Sequence, residues 1–190
     1  MKLLGVIIVA LAWLIPIDTI TAQEPNPIQI LSSSATSEFP EGMRFTLDAQ
    51  SSDGEITSIA IRFRIGLRTT GIYEYLDFEQ AEQVHGELFW RTNTSGSYIP
   101  PSTLITYRFE VEDSAGNVLT TDFSVLPYHD SRFEWIEISE GPVTVAYHGP
   151  VATRAEAILN VIVQTLEKMG PVLGAETLTP IRVAIYNNQK

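Results

Sequence analysis

The side chains of this 190-residue chain best suited to metal binding or proton transfer are its three histidines, His85, His129 and His148. They fall in separate segments, each beside or near Gly or Asp, where a turn or surface role is the ordinary expectation. No two of them stand one helical turn apart, as a zinc-binding pair on a helix would. The chain has no cysteine, which removes disulfides, Cys-ligated zinc, iron-sulfur clusters, a thiol nucleophile and an acylated lipoprotein cysteine. There is no Gly-rich phosphate loop ending in Lys-Ser or Lys-Thr and no Gly-x-Ser-x-Gly elbow. Glu79 and Glu82 are paired carboxylates of a kind common on acidic surfaces. Asp113-Ser114-Ala115-Gly116-Asn117 lacks the alternate carboxylates and distant bidentate Glu of a calcium loop and reads as a hairpin turn. Asn93-Thr94-Ser95 fits the short glycosylation sequon and carries little weight. No catalytic, cofactor-binding or metal-ligating residue is therefore assigned.

The elements that would have to position any chemistry start after a targeting segment. Residues 1–22 place Lys2 before an apolar run over 3–17 and end in the small residues Thr21-Ala22, the pattern of an export signal. The run is shorter than the ~20 residues a bilayer core requires, and Pro16 interrupts it, so cleavage before Gln23 is expected. The alternative is an uncleaved membrane anchor, since Ile20 is larger than the alanine favoured three residues before a cut. Secretion or cell-envelope location follows from either. At 44% hydrophobic and 18% charged the remainder folds around a core, and a net charge of −11 repels phosphate backbones, so nucleic acid is not expected as a partner.

From 27 to 128 the apolar period is two, the mark of strands with one buried face. Met43, Phe45, Leu47 and Ala49 form one run and Ile59, Ile61, Phe63 and Ile65 another, joined by Ser51-Ser52-Asp53-Gly54 and read as hairpin partners. Ile105, Tyr107, Phe109 and Val111 lead into the 113–117 turn, after which Leu119, Thr121, Phe123 and Val125 return. Shorter runs at 28–31, 72–78 and 87–91 bring the count to about seven strands. The expected fold is mainly β, an immunoglobulin- or fibronectin type III-like sandwich, followed by an incomplete α+β unit. Within the sandwich, Tyr73, Tyr75 and Trp90 are candidates for presentation to a ligand, and a solvated edge strand is the plainer account of the acids and aromatics over 73–82.

After Tyr128-His129-Asp130 the pattern changes. Residues 132–138 and 142–147 read as a hairpin around Ser139-Glu140-Gly141. A helix follows with Val151, Ala155, Ile158, Ile162, Thr165 or Leu166, and Met169 on one stripe, stopped by Gly170-Pro171. Ile181, Val183 and Ile185 then form a strand. One helix covers one face of a sheet, so the 132–190 unit is expected to be the start of a larger domain that continues past Lys190, with a small closed module as the alternative. The 27–128 unit is expected to fold alone and the later unit not.

Several stretches carry a resemblance: residues 107–117, Tyr128 with Asp130, Arg132-Phe133-Glu134-Trp135, residues 141–149 and residues 180–186. In these the chain resembles secreted bacterial proteins of the peptidase MA-like metallopeptidase family. That resemblance implies a β-sandwich ahead of a gluzincin-type zinc peptidase domain, with peptide or protein substrates. It also implies zinc on a His-Glu-x-x-His helix whose Glu activates the metal-bound water. No position here matches that motif, so no catalytic residue carries over. The 190 residues are expected to be inactive by themselves, with zinc entering only if the natural protein continues past Lys190. The readings from other classes are a noncatalytic exported binding or adhesion module and a structural spacer.

Overall fold

The computed structural model describes residues 26–94, 98–174 and 179–187. The export segment over 1–22, Ser95 of the sequon and residues 188–190 lie outside the described residues. The strands are β1 (Ile28–Glu38), β2 (Gly42–Ser51), β3 (Ile56–Ile65), β4 (Ile72–Tyr75), β5 (Gln83–Arg91), β6 (Thr103–Asp113), β7 (Val118–Thr120), β8 (Ser124–Tyr128), β9 (Ile136–Glu140) and β10 (Val143–Tyr147). Helix α1 (Ala152–Leu173) and strand β11 (Ile181–Ile185) follow. The fold is mainly β, with several antiparallel sheets and one C-terminal helix.

The alternating runs become strands as their pattern requires, but β2 and β3 are not hairpin partners. β2 lies between β1 and β5, and β3 lies between β4 and β6, all antiparallel. Alternation specifies which face of a strand is buried and leaves its edge neighbours open. The two strands instead face each other: Met43, Phe45, Leu47, Ile59, Ile61 and Phe63 share one buried cluster, and the Phe45 and Phe63 rings sit 5.6 Å apart. Residues 51–54 are thus a crossover between sheets. It is tied to other loops: the Ser51 N–H donates to the Glu82 carbonyl, the Ser52 N–H to the Pro27 carbonyl and the Ser51 hydroxyl to Asp113.

The return from the 113–117 turn departs from the expected single strand. β7 pairs Glu110 with Thr120, whereas β8 pairs Tyr107 with Ser124, so one extra residue enters between them. Thr121 explains the break. Its N–H donates to the Phe109 carbonyl and its hydroxyl, instead of its carbonyl, accepts the Phe109 N–H. The bulge reverses the phase of the side chains. Leu126 turns inward, and Phe123 and Val125, expected in the core, are 54% and 56% exposed.

In the later unit β9 and β10 form the expected hairpin, with Gly141 in the left-handed region at φ 55° where a Cβ would be strained. Residues 132–135 are not strand but a turn leading into it. β10 and β11 pair in parallel, connected by α1. The helix packs Ala155 and Leu159 against Val143, Val145, Tyr147 and Ile185. It runs through Gly170-Pro171 to Leu173, past the expected stop, and ends where Gly174 at φ 61° donates its N–H to the Gly170 carbonyl. A proline in the final turn removes one bond without blocking the remainder of that turn. Met169, placed on the packing stripe by its spacing, is instead 45% exposed.

Candidate functional site

The three histidines separate into two situations. His85 on β5 is exposed and stands opposite Asp48 of β2 in the register, with Nδ1 2.7 Å from Oδ1. Hydrogen bonds from Ser32 first, and then from His85, hold the Asp48 carboxyl below the usual range. An exposed pair of this kind contributes ~1 kcal/mol or less. His129 and His148 were expected at the surface or in turns and are instead 7% and 5% exposed.

Both lie in a box of rings where the first eight strands meet the later unit. His129 directly follows β8 and stacks on Trp135 at 4.6 Å; His148 directly follows β10 and stacks on Phe133 at 4.1 Å. Trp135 meets His148 edge-on at 5.0 Å and Tyr186, just past β11, at 5.1 Å. Phe39 touches Tyr186 and Tyr128 from the β1–β2 turn. The turn over 130–135 exists because Asp130 holds it: its carboxylate accepts the backbone N–H and the guanidinium of Arg132, and its carbonyl accepts the Trp135 indole N–H at 2.9 Å. That anchoring keeps the Asp130 carboxyl, only 4% exposed, below the ordinary value and ionised, with Arg132 as the main cause.

The polar atoms of the box are mostly spoken for. The His148 Nε2 accepts the Asn187 N–H at 3.3 Å. Burial lowers the pKa of His129 and keeps the ring neutral; burial likewise raises that of Tyr186 and keeps its phenol protonated. His129 Nε2 and Tyr186 Oη are buried and have no hydrogen-bond partner among the described residues. One further tie crosses the junction. Arg182 of β11 donates from Nε to the Ser102 carbonyl at 2.8 Å and also engages Glu137. Ser102 is fully buried and sits at φ 68°, a conformation that a non-glycine residue holds only when its surroundings impose it. Ala146, on the face of β10 turned away from α1, is fully buried, so this face is not left to solvent.

Chemically this arrangement is a latch. Stacked rings, an ionised but fully paired carboxylate and a neutral histidine leave no activated nucleophile, and among the described residues no group of three His, Asp or Glu converges as a metal site. The other sequence candidates do not join it. Tyr73 and Tyr75 are exposed on β4 with rings 5.4 Å apart, while Trp90 packs edge-on against Phe63 at 5.2 Å beside the core, so the three do not form one presenting face. Glu79 and Glu82 are exposed in the loop before β5. Asp113 caps its turn, accepting the N–H groups of Ala115 and Asn117. Burial pushes its carboxyl up, but these bonds with those from Ser51 and the Asn117 amide outweigh it and hold it low. Sequence reasoning missed the convergence of Phe133, Trp135, His148 and Tyr186. The density of rings over 128–148 was the available signal, with nothing in it to tell which rings would meet.

Among the described residues no helix is long and apolar enough to cross a membrane. Comparison of the chain with protein-family models and with curated proteins finds no match.

Proposed function

We propose that this chain is the exported N-terminal portion of a peptidase MA-like zinc metallopeptidase. In this reading an immunoglobulin- or fibronectin type III-like sandwich over 27–128 precedes the first hairpin, helix and strand of the catalytic domain. The supporting observation is the ring box. Tyr128, Asp130, Arg132, Phe133, Trp135, His148 and Tyr186, taken from the stretches that carry the resemblance, converge from three separate segments to join the two units. The two sheets that feed one buried cluster support the sandwich. Val161, Val172 and Leu173, exposed on α1, and the parallel β10–β11 pair suit a unit on which further elements pack.

The residues present do not fit a catalytic zinc. His85 is paired to Asp48 at the surface, and His129 and His148 are held in separate ring stacks, so no step of peptide hydrolysis is assigned to them. The role of these 190 residues is to scaffold and to position. Export by cleavage before Gln23 and a peptide or protein substrate for the whole enzyme belong to the same proposal.

The test is the complete reading frame of the natural gene, expressed and analysed for metal. A downstream His-Glu-x-x-His helix, one zinc per chain and chelator-sensitive cleavage of a peptide library are expected, and Glu→Gln in that helix should abolish turnover while keeping the metal. A reading frame without such a helix removes the peptidase reading.

A further inference from the structure

The outward face of β3, β4, β6 and β8 carries a concentration of positive charge at odds with a chain of net charge −11. Arg62 of β3 stands directly opposite Arg108 of β6, and Arg64 lies two residues along, opposite Thr106. Like charges facing each other across a ladder destabilise a sheet. None of the three arginines has a carboxylate within 4.0 Å among the described residues. Glu110, two residues further along β6, is the next acid on this face and stands opposite Ala60. Arg108 Nε is buried with no hydrogen-bond partner among the described residues, a costly state for a guanidinium.

The arginines are nevertheless held in place. Arg62 lies over the Tyr73 ring at 5.6 Å, and Arg108 and Arg64 lie over the Phe123 ring at 4.8 and 6.0 Å. Phe123 is there because the bulge at Thr121 turned it outward. Rings and arginines together line an open groove of about 440 Å³, with Thr69 and Thr106 adding hydroxyls. That volume falls within the range of small-molecule sites. Prepositioned guanidinium forks with unfilled donors match the paired oxygens of a carboxylate, sulfate or phosphate. A long polyanion is disfavoured, because the rest of the chain would repel whatever extends beyond the groove by more than a screening length of about 8 Å.

We infer that this groove binds a small oxyanion-bearing molecule, its charged group held between Arg62 and Arg108 and its apolar body lying against Tyr73 and Phe123. The inference uses none of the residues on which the metallopeptidase reading rests.

The whole chain, titrated at low ionic strength with benzoate, inorganic phosphate and phenyl phosphate against equal chloride, gives the test by amide chemical shifts and calorimetry. At least one probe should shift amides of β3, β4 and β6. Benzoate as the better ligand identifies a carboxylate site and phenyl phosphate a phosphate-ester site; phenyl phosphate exceeding inorganic phosphate confirms the aromatic wall. Arg108→Met and Arg62→Met should each weaken binding by about 10-fold or more, the loss of a charged hydrogen bond, whereas Arg154→Met on α1 should change nothing. Arg108→Met should also leave the free protein as stable as before or more so, since it removes a facing like charge and keeps the apolar stem. No probe shifting these amides, or equal weakening by all three substitutions, overturns the inference.

Discussion

His129 illustrates how a single ring couples the junction to pH. It is 7% exposed and neutral mainly through burial, with the nearby Glu137 favouring its proton and Arg182 opposing it. Its folded pKa lies below the ~6.5 of an unfolded histidine, so the unfolded chain takes up a proton that the folded chain refuses. Above pH ~6.5 both states are neutral and nothing is lost; as pH falls below that value stability declines until the depressed folded pKa is passed. The paired carboxylates Asp48, Asp113 and Asp130 are also depressed, and their loss comes later, below the ~3.9 of an unfolded aspartate. His129→Phe preserves a ring on Trp135 and removes both the unpartnered Nε2 and the proton site. Urea midpoints measured at pH 7.5 and 5.5 should therefore converge in His129→Phe and stay apart in the parent. An unchanged gap would mean that another group carries the acid limb.

At the scale of the element, close approach decides more than propensity. Gly42 opens β2 opposite Arg91, and a Cβ there would lie 2.5 Å from the Trp90 carbonyl oxygen and 2.7 Å from the Phe89 ring. Backbone cannot yield as a side-chain tip can, so Gly42→Ala should lower stability by ~1–3 kcal/mol in urea titration. Gly141→Asn, in an open left-handed turn with nothing within 4 Å, should cost ~1 kcal/mol or less. Equal effects would show that β2 and β5 are less tightly apposed than the geometry indicates. The same scale shows what the amino-acid sequence exposes. The buried faces of β2, β3 and β6 follow from alternation because burial is a property of one strand. The β2–β3 pairing failed because edge neighbours are a property of two sheets. The phase of Phe123 and Val125 failed because one hydroxyl, Thr121, competes with a backbone acceptor, and no hydrophobic pattern records that. The latch was legible only as a richness in rings, and the arginine groove as scattered basic residues on alternating strands.

For the whole molecule the question is how a weak unit stays folded beside a strong one. Among the described residues the first unit buries eighteen residues in one cluster and the second only six, too few for independent stability by the usual proportion of core to chain. The ring box and the Arg182–Ser102 bond supply the coupling, and they do so across a connection, His129-Asp130, that is itself buried. Trp135 is the centre: it touches His129, His148 and Tyr186 and donates to the Asp130 carbonyl. Trp135 is partly buried, and Trp135→Ala should remove up to ~3 kcal/mol of packing among His129, His148 and Tyr186 at the junction while leaving the eighteen-residue core untouched. The parent should unfold in one thermal transition with residues 129–131 resistant to protease. In Trp135→Ala the helical far-UV signal should be lost in a separate, earlier transition, and cleavage should appear near 129–135 while a fragment ending there survives. Two transitions already present in the parent, or one retained in Trp135→Ala, would show that the two units are not coupled through this ring.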